Sequence, residues 1–101
     1  MSNGTYAGSY GAPLKLVHAQ ALFTATATIE SAGSYGAYNL GGLAVSLANE
    51  GLIEATAGIA IDLAGGGSVV NGASGHTAAL VYGLTGVELG EAGSVDNVGT
   101  I

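Results

Sequence analysis

The sequence predicts an all-β fold, a parallel β-helix (β-solenoid), and three observations carry that expectation. A short unit of apolar-x-apolar strand, glycine bend and second strand recurs, as in Gly58-Ile-Ala-Ile-Asp-Leu-Ala-Gly-Gly-Gly-Ser-Val-Val-Asn71 and Gly86-Val-Glu-Leu-Gly-Glu-Ala-Gly-Ser-Val-Asp-Asn97. The composition is biased: 19 glycines among 101 residues, 49% hydrophobic and only 8% charged, where roughly a quarter charged is usual. Nothing between the units reads as a crossover helix of ordinary length. Short strands separated by glycine cannot bury a face alone, so they stack on their own copies. Rungs about 4.8 Å apart then enclose a ladder of Val, Ile and Leu.

Along the chain, residues 1 to 12 are rich in Gly, Ser, Tyr and Ala, and Ala7-Gly-Ser-Tyr-Gly-Ala12 returns unchanged as Ala32-Gly-Ser-Tyr-Gly-Ala37. This hexad reads as a turn that recurs once per coil. From Val17 to Ile29 every odd position is apolar (Val17, Ala19, Ala21, Phe23, Ala25, Ala27, Ile29), the period of a half-buried strand. A helix over Leu14 to Phe23 competes, because Pro13 suits its first turn and Leu14, Val17, Ala21 and Leu22 share a helical face. Residues 1–39 form an N-terminal segment fit to cap the solenoid or to lap onto a neighbour, and residues 40–101 hold the repeats.

Within the repeats, Gly42 to Ile53 superposes on Gly58 to Val69 at a shift of 16, keeping Leu43/Ile59, Val45/Ile61, Leu47/Leu63 and Ile53/Val69. Gly67-Ser-Val-Val-Asn71 superposes on Gly93-Ser-Val-Asp-Asn97 at 26, and Gly58-Ile59 on Gly86-Val87 at 28. Asn71 and Asn97 follow the second strand of their units, where stacked asparagines hydrogen-bond along a ladder and close a turn. Gly51, Gly67 and Gly93 recur at the bend, where a positive φ or close backbone approach is needed.

Several function classes lose support from composition. The net charge of −6 sets seven carboxylates against Lys15 alone, so the chain has no means to neutralise a phosphate backbone or grip anionic lipid. Nucleic acid is therefore not an expected partner, and membrane insertion is not expected either, since no run approaches about 18 apolar residues. The chain has no cysteine, which fits a cytosolic or an extracellular setting alike. The first residues, Met1-Ser-Asn-Gly-Thr-Tyr6, lack the basic and apolar regions of a signal peptide.

Residues able to carry chemistry are sparse. Glu88 with Glu91, and Asp62 with Asp96, are the pairs that a two-carboxylate hydrolase would need, but outward acids in an otherwise uncharged coil serve solubility. Lys15 is remote from the repeats as a lyase base. His18 and His76 have no zinc-ligand spacing, and Gly65-Gly-Gly-Ser-Val-Val-Asn71 has the glycines of a calcium-binding nonapeptide without its aspartate. That same glycine run lacks the lysine and helix of a phosphate loop. Thr24, Thr26 and Thr28 resemble one row of an ice-binding array, occurring once. The expectation is therefore no enzyme, with no catalytic, cofactor-binding or metal residues and no cofactor.

Gly86-Val87, Leu89, Gly93-Ser-Val95, Asn97 and Gly99-Thr-Ile101 resemble the repeats of bacterial autotransporter passengers and haemagglutinin-like adhesins, with a GV-x-L strand, a GG turn, a V-x-N strand and a closing GTI. Gly58 to Asn71 matches with Ile for Val, and Gly42 to Ile53 keeps the apolar spacing but reads as lacking the asparagine. The resemblance covers roughly residues 40 to 101. It implies a right-handed helix used outside the cell or on the bacterial surface as stalk, adhesin or fibre, although export signal and translocator barrel are both missing from this sequence.

At the repeat lengths seen, the chain makes about four to five coils, near 20 to 25 Å of stacked height. Ending on Gly99-Thr-Ile101, inside the motif, it exposes a coil without a cap. A second copy joined head to tail as a filament would cover it. The expected function is a structural, non-enzymatic subunit of an extracellular fibre. The alternatives are an adhesin fragment that binds carbohydrate or a host surface, and a carbohydrate-active enzyme.

Overall fold

The computed structural model describes residues 3–10, 13–17, 19–39, 43–72, 79–91, 93–97, 99 and 101, and among these there are strands, turns and bends but no helix. The strands are β1 (Asn3–Tyr6), β2 (Ser9–Tyr10), β3 (Leu14–Lys15), β4 (Gln20–Phe23), β5 (Thr28–Ser31), β6 (Tyr35–Asn39), β7 (Val45–Asn49), β8 (Leu52–Leu63), β9 (Gly67–Asn71), β10 (Leu80–Leu89) and β11 (Gly93–Asn97). They form two parallel sheets. One runs β1-β4-β7-β9-β11, and the other runs β2-β5-β8-β6-β3 with β10 also on β8. The fold is the expected β-solenoid.

The second sheet is two ladders joined by long bent strands. The first half of β8 carries β5, and its second half carries β6. β10 lies along both halves. Leu80 sits on Leu52, 28 positions back, whereas Val87 sits on Ile61, 26 positions back. β8 therefore spends two more residues than β10 in rounding the corner near Gly58 and Gly83, and the mismatch appears as a register shift between Gly83 and Thr85.

Parallel in-register stacking puts like residues at like depth. Ala21, Leu47 and Val69 form one inward column, Ile29, Ile53 and Val81 a second, and Ala37 and Ile61 a third, each residue no more than 3% exposed. These small branched side chains close a narrow core, with Phe23 as its bulkiest buried member.

The structure corrects three expectations of register. The shift of 16 joins successive faces of the coil, not stacked rungs: Val45 pairs with Gly67 in the first sheet, while Ile61 belongs to the second. The shift of 28 at Gly58/Gly86 fails, because Val87 lies on Ile61 and Leu89 on Leu63. Apolar-x-apolar spacing is the same on every face of a solenoid, so it aligns faces as readily as rungs. The two hexads do not stack either. Tyr10 pairs with Ile29, and Tyr35 with Ile59; residues 11 and 12 of the first copy lie outside the described residues.

The alternating segment Val17 to Ile29 is two strands, not one, and among the described residues of Leu14 to Phe23 there is no helix. Alternation does bury Ala21, Phe23, Ala27 and Ile29, but Ala27 N–H donates to Thr24 O at 2.9 Å and turns the chain between β4 and β5. A period of two continues through a corner whenever the turn spans an even count of residues, so the pattern alone does not reveal the break. Nor is the segment available to lap onto a neighbour: β4 is paired on both edges by β1 and β7, and β5 by β2 and β8. Residues 3–39 supply β1 to β6 to the same two sheets.

Gly67 shows what close rungs demand. Its φ is +121°, and a Cβ there would lie 2.1 Å from the Val45 carbonyl oxygen. Gly8, at φ +84°, has open space around its missing Cβ. We expect Gly8→Ala to cost about 1 to 2 kcal/mol of backbone strain and Gly67→Ala to cost roughly 3 kcal/mol or more, strain and backbone collision together. Urea denaturation of the two variants checks this, and equal costs would refute the collision.

Candidate functional site

Three features offer chemistry: a polar column through the first sheet, the free strand edges at its ends, and an outward column on the second sheet.

The polar column stacks Tyr6, Phe23, Asn49, Asn71 and Asn97 at equivalent positions of five strands. Asn49 Nδ2 donates to Asn71 Oδ1 at 2.9 Å, and Asn71 Nδ2 donates to Asn97 Oδ1 at 2.9 Å. The amides also reach across the corner, from Asn49 Nδ2 to Leu80 O at 3.3 Å and from Asn71 Nδ2 to Ala79 O at 3.4 Å. Gly51 N–H closes an Asx turn on Asn49 Oδ1 at 3.1 Å. Asn49 and Asn71 are fully buried, so the ladder satisfies groups that burial would otherwise penalise. Toward the N-terminus the same column turns aromatic: the Tyr6 and Phe23 rings stack at 4.8 Å, and Tyr10 meets Tyr6 edge-on.

Asn71 and Asn97 stack as the sequence indicated. Asn49 was hidden, because the shift of 16 set it against Gly65. The signal that finds it is Leu47-x-Asn49, matching Val69-x-Asn71 and Val95-x-Asn97.

Among the described residues, β1 pairs only with β4 and β11 only with β9, so both end strands of the first sheet have a free edge. Val95 continues the buried column of Leu47 and Val69 yet is 45% exposed. Tyr6, Tyr10 and Leu14 are partly buried against the core at the other end.

On the second sheet Lys15, Tyr38, Asp62 and Glu88 occupy one column, a rung apart. Tyr35 stacks on Tyr38 with ring centroids 5.1 Å apart and an interplanar angle of 27°. Asp62 is 9% exposed. Burial raises its carboxyl above the ordinary 3.8, and the Glu88 carboxylate raises it further. The acid pairs anticipated from sequence are regrouped accordingly. Asp62 lies beside Glu88, whereas Asp96 stands in the first sheet on Val70, and Glu91 follows β10 in a bend. Rung neighbours cannot be read from sequence separation until the register is known.

The remaining candidates are placed as follows. Thr24 and Thr26 sit at the corner, with their hydroxyls 3.1 Å apart, and Thr28 opens β5, so the three do not form a flat row on one strand. The Gly65-Gly-Gly run is a bend in which Gly66 N–H donates to Leu63 O at 2.9 Å. His18 and His76 lie outside the described residues. Among the described residues no three His, Cys, Asp or Glu side chains gather as a metal site. A shallow groove of about 340 Å³ on the first sheet is lined by Gly4, Thr5, Gln20, Ala21, Leu22, Ser46 and Ala48. Compared with family models, curated proteins and solved structures, the chain matches none.

Two outcomes follow. Replacing central Asn71 with Leu removes a donor and an acceptor inside the ladder and leaves Asn49 short of a partner, costing about 3 kcal/mol. Asn97→Ala at the exposed end removes one acceptor and costs about 1 kcal/mol or less. Equal losses in urea denaturation would rule out the ladder as a source of stability. For Asp62, a raised folded pKa means that the folded state holds the proton more tightly than the unfolded one. Its favourable contribution is complete below 3.8 and is lost as pH rises through the raised value. Asp62→Asn is therefore more stable than the native chain at neutral pH, and the gap closes on acidification. Thermal unfolding across pH measures it; a gap that widens toward acid would contradict the sign.

Proposed function

We propose that this chain is a structural, non-enzymatic β-solenoid unit that associates end to end into an extracellular fibre. The observation that carries the reading is the pair of parallel edges, at β1 and β11, left free among the described residues. In a parallel stack the upper edge of one rung complements the lower edge of any other, so the two ends form a heterologous contact that repeats without closing. Side chains favour the same contact: aliphatic Val95 and Ile101 are about half exposed at one end, and partly buried Tyr6, Tyr10 and Leu14 line the other. The extracellular setting rests on the resemblance of residues 40 to 101 to adhesin repeats.

A second reading is an adhesin-type module that binds carbohydrate or a cell surface along its side. The outward column of Tyr38, Asp62 and Glu88 supports it, because aromatic faces beside carboxylates suit sugar rings and their hydroxyls. A glycan array distinguishes this reading from a purely structural one.

Electron microscopy of the purified chain at micromolar concentration tests the fibre, and the expected result is unbranched filaments. Val95→Lys sets a charge on the free end of an apolar column, so it abolishes filaments while circular dichroism still reports a folded β-protein. Uniform single particles from the native chain would overturn the proposal.

A further inference from the structure

Asp62 is the least comfortable group among the described residues. It is nine-tenths buried, yet no hydrogen bond or ion pair holds it among those residues. Among the described residues no side-chain oxygen or nitrogen is sealed away without a partner, so the Asp62 carboxylate keeps some contact with solvent. Its neighbours in the column are Tyr38 on one side and Glu88 on the other. A carboxylate largely withdrawn from water without a donor is costly, and a second carboxylate one rung on, on strands about 4.8 Å apart, adds repulsion. A single cationic donor placed between the two relieves both costs.

We propose that Tyr38, Asp62 and Glu88, with Tyr35 stacked on Tyr38, form a binding site for an organic ammonium group. An ammonium has three donors, enough to engage both carboxylates, and the tyrosine faces attract the same charge through their quadrupoles. A hard divalent ion fits less well, since calcium takes about six to eight oxygens and no third acid joins the pair among the described residues. An anionic ligand is opposed by both carboxylates and by the net charge of −6. The chain's own cation, Lys15, lies in the same column but beyond Tyr38, and it forms no ion pair with either acid among the described residues. The ammonium comes either from Lys15 of a second copy or from a free amine such as an amino sugar. The site stands whether or not the chain forms fibres.

The test is calorimetric titration of the full chain at neutral pH with glucosamine, with glucose, which carries a hydroxyl in place of the ammonium, and with calcium chloride. Glucosamine binds and glucose binds at least roughly tenfold more weakly, and Glu88→Gln weakens glucosamine by roughly tenfold, as loss of a charge-assisted partner requires. Asp62→Asn does the same, and Glu88→Gln, on the exposed strand, keeps the test valid if that buried substitution disturbs folding. Equal binding of the two sugars, binding of calcium in place of the amine, or no binding would overturn the proposal. The source is read from Lys15→Gln. Tighter glucosamine binding than in the native chain, with loss of self-association, identifies Lys15 of a second copy; unchanged affinity identifies a free amine.

Discussion

In-register parallel stacking is the constraint on which this structure depends. Every residue shares its depth and direction with the residue a rung above, so a column must be chemically tolerable along its whole length. Apolar columns meet this condition trivially, since Leu47 on Val69 or Ile53 on Val81 gains from contact. Polar columns meet it only if each member both donates and accepts. Asparagine does so, which is why Asn49 and Asn71 can be fully buried in a line that Asn97 ends at the exposed rung.

The same constraint turns other columns into stored tension. Asp62 beneath Glu88 repeats a group that accepts but does not donate when ionised, and stacking then multiplies charge without satisfying it. Tyr6 on Phe23 marks where the polar column gives way to rings that stack without hydrogen bonds. Position along the solenoid axis thus sets the character of each end, aromatic at one and amide at the other. This asymmetry gives the molecule a polarity that its net charge does not reveal.

Much of the fold was legible because short apolar runs with glycine bends leave few ways to bury a face. The match of Gly67–Asn71 to Gly93–Asn97 was correct residue for residue, because it includes the glycine and asparagine that distinguish one face from another. Matches resting on apolar spacing alone, such as Val45 with Ile61, joined the wrong faces. The candidate site suffered the same way. Glu88 was paired with Glu91 and Asp62 with Asp96, whereas the fold brings Asp62 to Glu88 across 26 positions.

The sequence by itself pointed to a parallel solenoid with a narrow aliphatic core and stacked Asn71 and Asn97, since short strands between glycine bends in residues 40–101 bury a face most economically against copies of themselves. Only the tertiary structure decided which residues stand one rung apart. Register depends on how many residues each corner consumes, three between Ala55 and Ile59 but one between Gly83 and Thr85, and corner lengths follow from backbone packing that local sequence does not encode.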